Sequence, residues 1–325
     1  MKQASAYANA NIALVKYWGK SNQTLNIPAV SSLSMTLDCL GCNVTVEQST
    51  LYRHFLSING QIASTQDHER LTNYLETVRR IFSFKGFLSI FSQSSVPIAA
   101  GLASSAAFYA ALSLALDHFF SLKLNHCELS KLARIGSASA ARSIFGGFSG
   151  LFGGSITHDQ SFAFPLETNL NLAMLVAIVC QEKKSISSRK AMNLTKDSSP
   201  FYDNFVSSHE NDFSKAQTAL ASGGLEQLGS IMEHSTLKMH ASMWTAQPSI
   251  NYLQPKTLEL MNLIYDIRKN HGAIAYFTMD AGPNVKILCE LNKLPLIKSI
   301  IEQSGLTKAL ISSQPGKYAH VVHSC

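Results

Sequence analysis

The sequence is short of charge. Only 15% of its 325 residues are Asp, Glu, Lys or Arg, against 46% hydrophobic ones. That balance excludes a disordered chain and leaves ample apolar material for a core. The length allows one large domain or two of ordinary size. The net charge is +6, but no basic block or tail gathers it. Scattered lysines and arginines argue against nucleic acid and suit a small acidic substrate. Long hydrophobic runs are missing too. The longest, "LNLAMLVAIVC" at 170–180, is too short to span a bilayer and reads as a buried strand. The start, "MKQASAYANANIALVKYWGK", has no continuous apolar stretch of the signal-peptide kind. Six cysteines are too few for a disulfide scaffold in a chain of this size. The one C-x-x-C, Cys39 to Cys42, lacks a second pair, so free thiols are expected there rather than zinc. The expectation is a reduced, cytoplasmic protein that neither enters a membrane nor binds nucleic acid. No histidine pair has a helical metal spacing with a nearby carboxylate, and G-x-S-x-G occurs only in broken form at 147–150.

What is present alternates between two periods. "SLSMTLDCLGCNVTVEQ", "RHFLSINGQ" and "FKGFLSIFSQSSVP" read as strands. "QDHERLTNYLETVRRIF" places Leu71, Leu75 and Val78 at helical spacing. "CELSKLARIGSASAARSIFGG" reads as a helix, a small-residue break and a short helical run stopped by Gly146 and Gly147. "EKKSISSRKAMNLTKDSSP" reads as a polar loop. Helices follow around 212–222, 225–234 and 257–270, then strand, tight loop and strand in "AIAYFTMDAGPNVKILCEL", and a last strand in "KYAHVVHSC". Without a strict βαβ rhythm the fold class is α+β, in two lobes with a seam near residue 182, giving domains 1–182 and 183–325.

Five stretches carry candidate chemistry. "PIAAGLASSAAFYAAL" at 97–112 opens a helix on glycine and serines. Unpaired N–H groups at such a start attract phosphate, although the lysine of a Walker A loop is absent. "IGSASAARS" at 135–143 is a second stretch of this kind and adds Arg142. "KYWGK" supplies Lys16, Tyr17 and Lys20 after an apolar strand. "KKSISSR" adds Lys183, Lys184, Ser187, Ser188 and Arg189. "TMDAGPN" puts Asp280 at a strand end, where it is either a turn cap or a carboxylate facing a substrate hydroxyl.

Taken together, "NIALVKYWGK", "LNIPAVSSLSMTLD", "PIAAGLASSA", "GSASAARSIFGGF", "SSRKAMNLTKDSSPFY", "EHSTLKMHA" and "MDAGPN" resemble, in order and over nearly the whole chain, the GHMP superfamily of small-molecule kinases. More closely they resemble the diphosphomevalonate decarboxylases. The resemblance implies a two-lobed GHMP-kinase-like fold with the active site in the cleft. It also implies ATP-dependent conversion of (R)-5-diphosphomevalonate to isopentenyl diphosphate, with ADP, phosphate and CO2 released. Its cofactors would be ATP and Mg2+, the metal held largely by phosphates and water. Its sole partner would be the small-molecule substrate, unless the chain forms a homodimer.

By the same resemblance Gly101, Leu102, Ala103, Ser104, Ser105 and Ala106 match the ATP phosphate loop. Asp280 matches the carboxylate that orients or deprotonates the 3-hydroxyl, and Arg142 the arginine on the substrate carboxylate. Lys16 and Lys184 match lysines near the transferred phosphoryl group. Tyr17, Trp18, Gly19, Lys20, Arg70, Ser137, Ala138, Ser139, Ala140, Ala141, Ser188 and Arg189 match the substrate-binding set, Tyr17, Lys20, Ser137, Ser139 and Arg189 at its diphosphate end. The chain departs from the pattern at Ala138, where many relatives have glycine, at Val30, where they usually have asparagine, and at Met279, where they have an aromatic residue. Kinases that stop after phosphorylating the 3-hydroxyl and decarboxylases of the monophosphate share this fold. Retention of Lys16, Arg142, Arg189 and Asp280 favours the diphosphate reaction.

Overall fold

The computed structural model describes residues 2–95, 104–182 and 184–324. Gly101, Leu102, Ala103 and Lys183 lie outside them. The chain opens with β1 (Gln3–Val15), the short ribbon β2 (Lys20–Asn22) and β3 (Ile27–Pro28), the long β4 (Ser32–Gln48), then β5 (Phe55–Ile58) and β6 (Gln61–Ile62). Next come α1 (Thr65–Phe82), β7 (Leu88–Ser94), α2 (Ser104–Phe120), α3 (His126–Gly136), a 3-10 segment over Ala138–Ile144, β8 (Phe148–Leu151) and β9 (Ala163–Leu166). The second half holds β10 (Leu172–Ile178), α4 (Ser188–Ser198), α5 (Tyr202–Ser207), α6 (His209–Ser222) and α7 (Leu225–Trp244). It closes with α8 (Pro255–His271), β11 (Ala275–Met279), β12 (Val285–Glu290), α9 (Leu294–Gln303), β13 (Ala309–Ser313) and β14 (His320–Ser324).

Two sheets organise these elements. The larger runs β14-β1-β4-β7-β5-β6, with β8 on β4 and β9 on β8, and is antiparallel except where β5 meets β7. The smaller runs β11-β12-β10-β13, antiparallel throughout. This is the expected α+β class in two lobes. The two sheets are not each built from one continuous stretch of chain. Strand β10 already belongs to the second sheet, and β14 returns from the chain end to pair with β1. The reason lies in β10 itself. Its Met174, Val176 and Ile178 enter one core and its Ala173, Leu175 and Ala177 the other. A strand buried on both faces is uniformly apolar, so its pattern does not say which sheet it joins.

The helices follow the amphipathic rule. In α1, Leu71, Tyr74, Leu75 and Val78 are buried, and the Ser64 side chain accepts from the Asp67 N–H to cap the start. Helix α3 begins in a capping box between Asn125 and Glu128. Helix α2 is buried on nearly every side and lies against β1 and β4.

One expectation is corrected. The polar stretch after residue 184 folds as helix α4, capped by Ser187, whose hydroxyl accepts from the Lys190 N–H. Its apolar stripe is narrow: Ala191, Met192 and Thr195 are buried, and the Thr195 hydroxyl donates back to the Ala191 carbonyl at 2.8 Å. Among the described residues no helix is long and apolar enough to cross a membrane.

Candidate active site

The site assembles where strands of the two sheets end against each other. Lys16 follows β1, and Asp280 follows β11. The Lys16 ammonium donates to Asp280 Oδ1 at 2.7 Å and to the Ala13 carbonyl at 2.8 Å. The other carboxylate oxygen, Oδ2, faces Lys286 Nζ at 3.1 Å. Both lysine side chains are 1% exposed, whereas that of Asp280 is 27% exposed. The carboxylate is therefore the open member of the trio. Burial pushes its pKa up, but Lys16 and Lys286 outweigh this and hold it well below the usual carboxylate range. Burial pulls Lys16 down to about 8, with Asp280 opposing the shift. Lys184 stands nearby. Its ammonium donates to Ser188 Oγ at 2.7 Å and to the Ala281 carbonyl at 3.3 Å, and burial lowers its pKa too.

Arg142 lies in the 3-10 segment and is buried. Its Nε donates to Ser34 Oγ at 2.9 Å, one Nη to Ser32 Oγ and the other to Asn11 Oδ1 at 3.3 Å. Asn11 in turn donates to the Ser139 carbonyl and to Ser143 Oγ. The guanidinium is thus fixed by neutral hydrogen-bond acceptors, while Asp280 acts on it through charge alone among these contacts. Burial lowers its pKa to about 10, which leaves it charged. A fixed cation whose hydrogen bonds go to neutral groups is complementary to an incoming carboxylate or phosphate.

A cavity of about 380 Å³ is lined by Asn26, Arg70, Tyr74, Tyr109, Gly136 and Arg189 among others, and Tyr17 links the two regions, since both Arg142 and Arg189 act on it. Arg70 and Arg189, far apart in sequence, meet here. Arg189 stands in the first turn of α4, where free backbone N–H groups add to its charge. Lys20 is buried, and its ammonium bonds to Asn26 Oδ1. Burial, with Arg189 and Arg70 adding to it, lowers Lys20 to about 8. Gly136 is required for close approach: a Cβ there would sit 2.0 Å from the Tyr109 ring.

The 3-10 segment and its cap alternate. Ser137 and Ser139 are partly exposed and 3.1 Å apart, while Ala138, Ala140 and Ala141 are buried in the core. The alanines can therefore meet a ligand only through their backbone, and the Ala138 methyl does not enter the cavity. Trp18 and Val30 are likewise buried, packed with Met192 and Tyr202. Gly19 has φ +90°, and a Cβ there would lie 1.8 Å from the Tyr202 hydroxyl. Tyr17 is half-buried, and burial raises its pKa. Ser104 and Ser105 are exposed in the first turn of α2, and Ala106 is buried behind them.

The profile of the diphosphomevalonate decarboxylase-like N-terminal domain matches residues 8–163, and that of the mevalonate 5-diphosphate decarboxylase C-terminal domain matches residues 174–317. The chain belongs to the diphosphomevalonate decarboxylase family. The diphosphomevalonate decarboxylase of Candida albicans is 32% identical over 88% of this chain and 84% of its own. The mevalonate diphosphate decarboxylase of Staphylococcus aureus superposes with a TM-score of 0.94 at 35% identity, covering 99% of this chain and 98% of that one. A protein designated MDDEF, solved in complex with MVAPP, AMPPCP and magnesium, gives 0.93 at 36% identity, covering 99% of each chain.

Within this family frame the donor set bears on the metal. Among the described residues no group of three His, Cys, Asp or Glu side chains converges. Asp280, the carboxylate paired with Lys16 and Lys286, has each oxygen against a lysine. These residues fit a Mg2+ that arrives on nucleotide phosphates rather than one seated in a protein cage. Sequence reasoning missed several members of the site. Lys286 was the most legible, since it is a lone cation inside the apolar run "VKILC". Asn11, Ser32 and Ser34 carry no such mark, because a hydroxyl or amide on a strand gives no sign of the arginine it will meet.

Proposed function

We infer that this protein catalyses the ATP-dependent decarboxylation of (R)-5-diphosphomevalonate to isopentenyl diphosphate, releasing ADP, phosphate and CO2. The observation that carries the reading is an ionised carboxylate set between two buried lysines, with Arg142 and the Arg70–Arg189 cavity nearby. A tertiary hydroxyl is a poor leaving group, and bound MgATP supplies the phosphoryl group that makes it a good one. The protein's part is to position the reactants and neutralise charge. Asp280 accepts the hydrogen bond of the 3-hydroxyl and aims it at the phosphoryl group. Its depressed pKa makes it an orienting acceptor first and a base second. Lys16 and Lys184 counter the charge of the transferred phosphoryl group. Arg142 holds the substrate carboxylate until it leaves as CO2. Lys20, Arg70, Arg189 and the hydroxyls of Ser137, Ser139 and Ser188 hold the diphosphate, with Tyr17 against the same end. Ser104 and Ser105 meet the nucleotide phosphates at the start of α2. We place the enzyme in the cytoplasm, as a homodimer or a monomer, which sedimentation would distinguish.

The test is a product assay. Purified protein with MgATP and diphosphomevalonate should yield isopentenyl diphosphate, ADP, phosphate and CO2 in equal amounts. Mevalonate and its 5-monophosphate serve as the other arms. ADP without CO2, or turnover confined to either of those arms, would refute the assignment.

A further inference from the structure

The β11–β12 hairpin explains how Lys286 reaches Asp280. Thr278 pairs with Lys286 across the hairpin, and Met279 with Val285. Residues 278 and 280 lie two apart, so they share a face, and Lys286 opposite 278 becomes the diagonal neighbour of 280. The other occupants of that face are apolar: Tyr276 and Leu288 belong to the first core, as does Val176, which pairs with Lys286 from β10. A lysine here is buried among hydrocarbon. Besides Asp280, its ammonium finds the Asn284 carbonyl at 3.2 Å. Asn284 meanwhile accepts from the Val179 and Cys180 N–H groups, tying the hairpin turn to the strand end that leads to Lys184.

We propose that Lys286 is a positioning residue for the reaction: by holding Asp280 Oδ2 it keeps Oδ1 on Lys16 and turns the carboxylate toward the substrate hydroxyl. This rests on the function proposed above. Without Lys286, a carboxylate held by one lysine could swing to present both oxygens to it. The pair of lysines fixes one rotamer instead.

The second consequence is electrostatic. The charged and titratable groups facing Asp280 are Lys16 after β1, Lys184 after β10, Lys286 on β12, His240 on α7 and Arg142 in the 3-10 segment. Burial holds His240 at about 4, so it is neutral at working pH. Lys286 and Lys16 repel each other, and this repulsion contributes to the lowering of Lys16 after burial. Removing the Lys286 charge therefore raises the pKa of Lys16.

The experiment uses Lys286→Met, which keeps the aliphatic stem, and Lys286→Gln, which keeps a donor without charge. The readout is kcat, both KM values and the pH profile of kcat/KM for MgATP at saturating diphosphomevalonate, where Lys20 is already engaged. For Lys286→Met, kcat should fall about 100-fold, the scale of a reactant group misplaced by an ångström. Both KM values should stay within about three-fold, because uniform binding is untouched. The alkaline limb should move up by about one pH unit as Lys16 keeps its proton longer. Lys286→Gln should recover kcat to within about five-fold of the native enzyme by donating to Oδ2, while showing the same alkaline shift.

A native profile in either variant overturns the proposal. So does a Lys286→Met protein that melts early but turns over normally per folded molecule, since Lys286 would then act only in the fold. If Lys286→Met does not fold, Lys286→Gln decides alone: an unmoved alkaline limb refutes the idea. An inactive native enzyme would instead refute the proposed function.

Discussion

Replacing Lys16 by methionine separates what the buried ammonium does for chemistry from what it does for folding. The Lys16 side chain is 1% exposed and contacts Asp280 and the Ala13 carbonyl. Its pKa lies at about 8 instead of 10.5. That difference means burial disfavours the charged form by about 3 kcal/mol below pH 8, even with Asp280 helping. Breaking a buried ion pair is usually damaging because it strands the other charge. Here it does not, because Lys286 remains on Asp280 Oδ2. Methionine fills much the same volume without a charge to bury. The melting temperature should accordingly rise by about 5 °C. Turnover should fall about 100- to 1,000-fold, as when one preorganised donor to developing charge is lost. Coupled ADP release with CO2 trapping measures the first effect, and a thermal melt of the same preparation the second. Native turnover would refute the assignment of Lys16 to phosphoryl transfer. A melting temperature lowered by more than about 6 °C would show that the ammonium stabilises the fold, against the burial argument.

Asp280→Asn should lower kcat about 100- to 10,000-fold with both KM values near native, because its role is confined to the reacting hydroxyl. A KM effect alone would contradict that role. Arg189→Ala should raise the KM for diphosphomevalonate about 10- to 100-fold with kcat nearly unchanged, since the loss is uniform binding to the diphosphate end. An equal fall in kcat would move Arg189 to the reaction centre. Binding of MgATP and diphosphomevalonate should take up protons near pH 8. Lys16 and Lys20 are about half-charged there in the free protein, and polyanions raise both pKa values. Calorimetry in buffers of different ionisation enthalpy reads this directly, and net release at that pH would overturn it.

Much of this was legible in the sequence, and the exceptions share a cause. Local signals survived well: the amphipathic spacing of α1, the small-residue break before the 3-10 segment and the turn after Asp280 all fold as their residues suggest. Features that need a partner from afar did not. Strand β10 reads as buried, but only the cores on its two faces show which sheet takes it. Helix α4 hides because its apolar stripe is a few residues wide and its exposed positions are the charged Arg189, Lys190, Lys196 and Asp197. Arg142 could be picked out as a cation beside serines, yet Asn11, Ser32 and Ser34 become its acceptors only when β1 and β4 lie side by side. Lys286 was missed although it is a lone cation in an apolar strand, because its role depends on the hairpin register.

The charge arrangement gives these scattered pieces a common logic. Lys16, Lys286, Arg142, Lys20 and Lys184 are drawn from both halves of the chain, and Asp280 is the carboxylate that pairs with the first two. Burying these cations opposes folding, as the pKa values of Lys16, Lys20 and Lys184 record, lowered first by burial and then by neighbouring cations. Stability must then come from elsewhere, and the two apolar cores flanking β10 provide it while holding the cations rigid. Rigidity matters because a cation already fixed and dehydrated need not reorganise when negative charge develops in front of it. A polyphosphate ligand and the substrate carboxylate supply the missing anions. On the proposed function, part of their binding free energy relieves the repulsion among these cations, and the same cations stay in place when charge shifts during phosphoryl transfer and the loss of CO2.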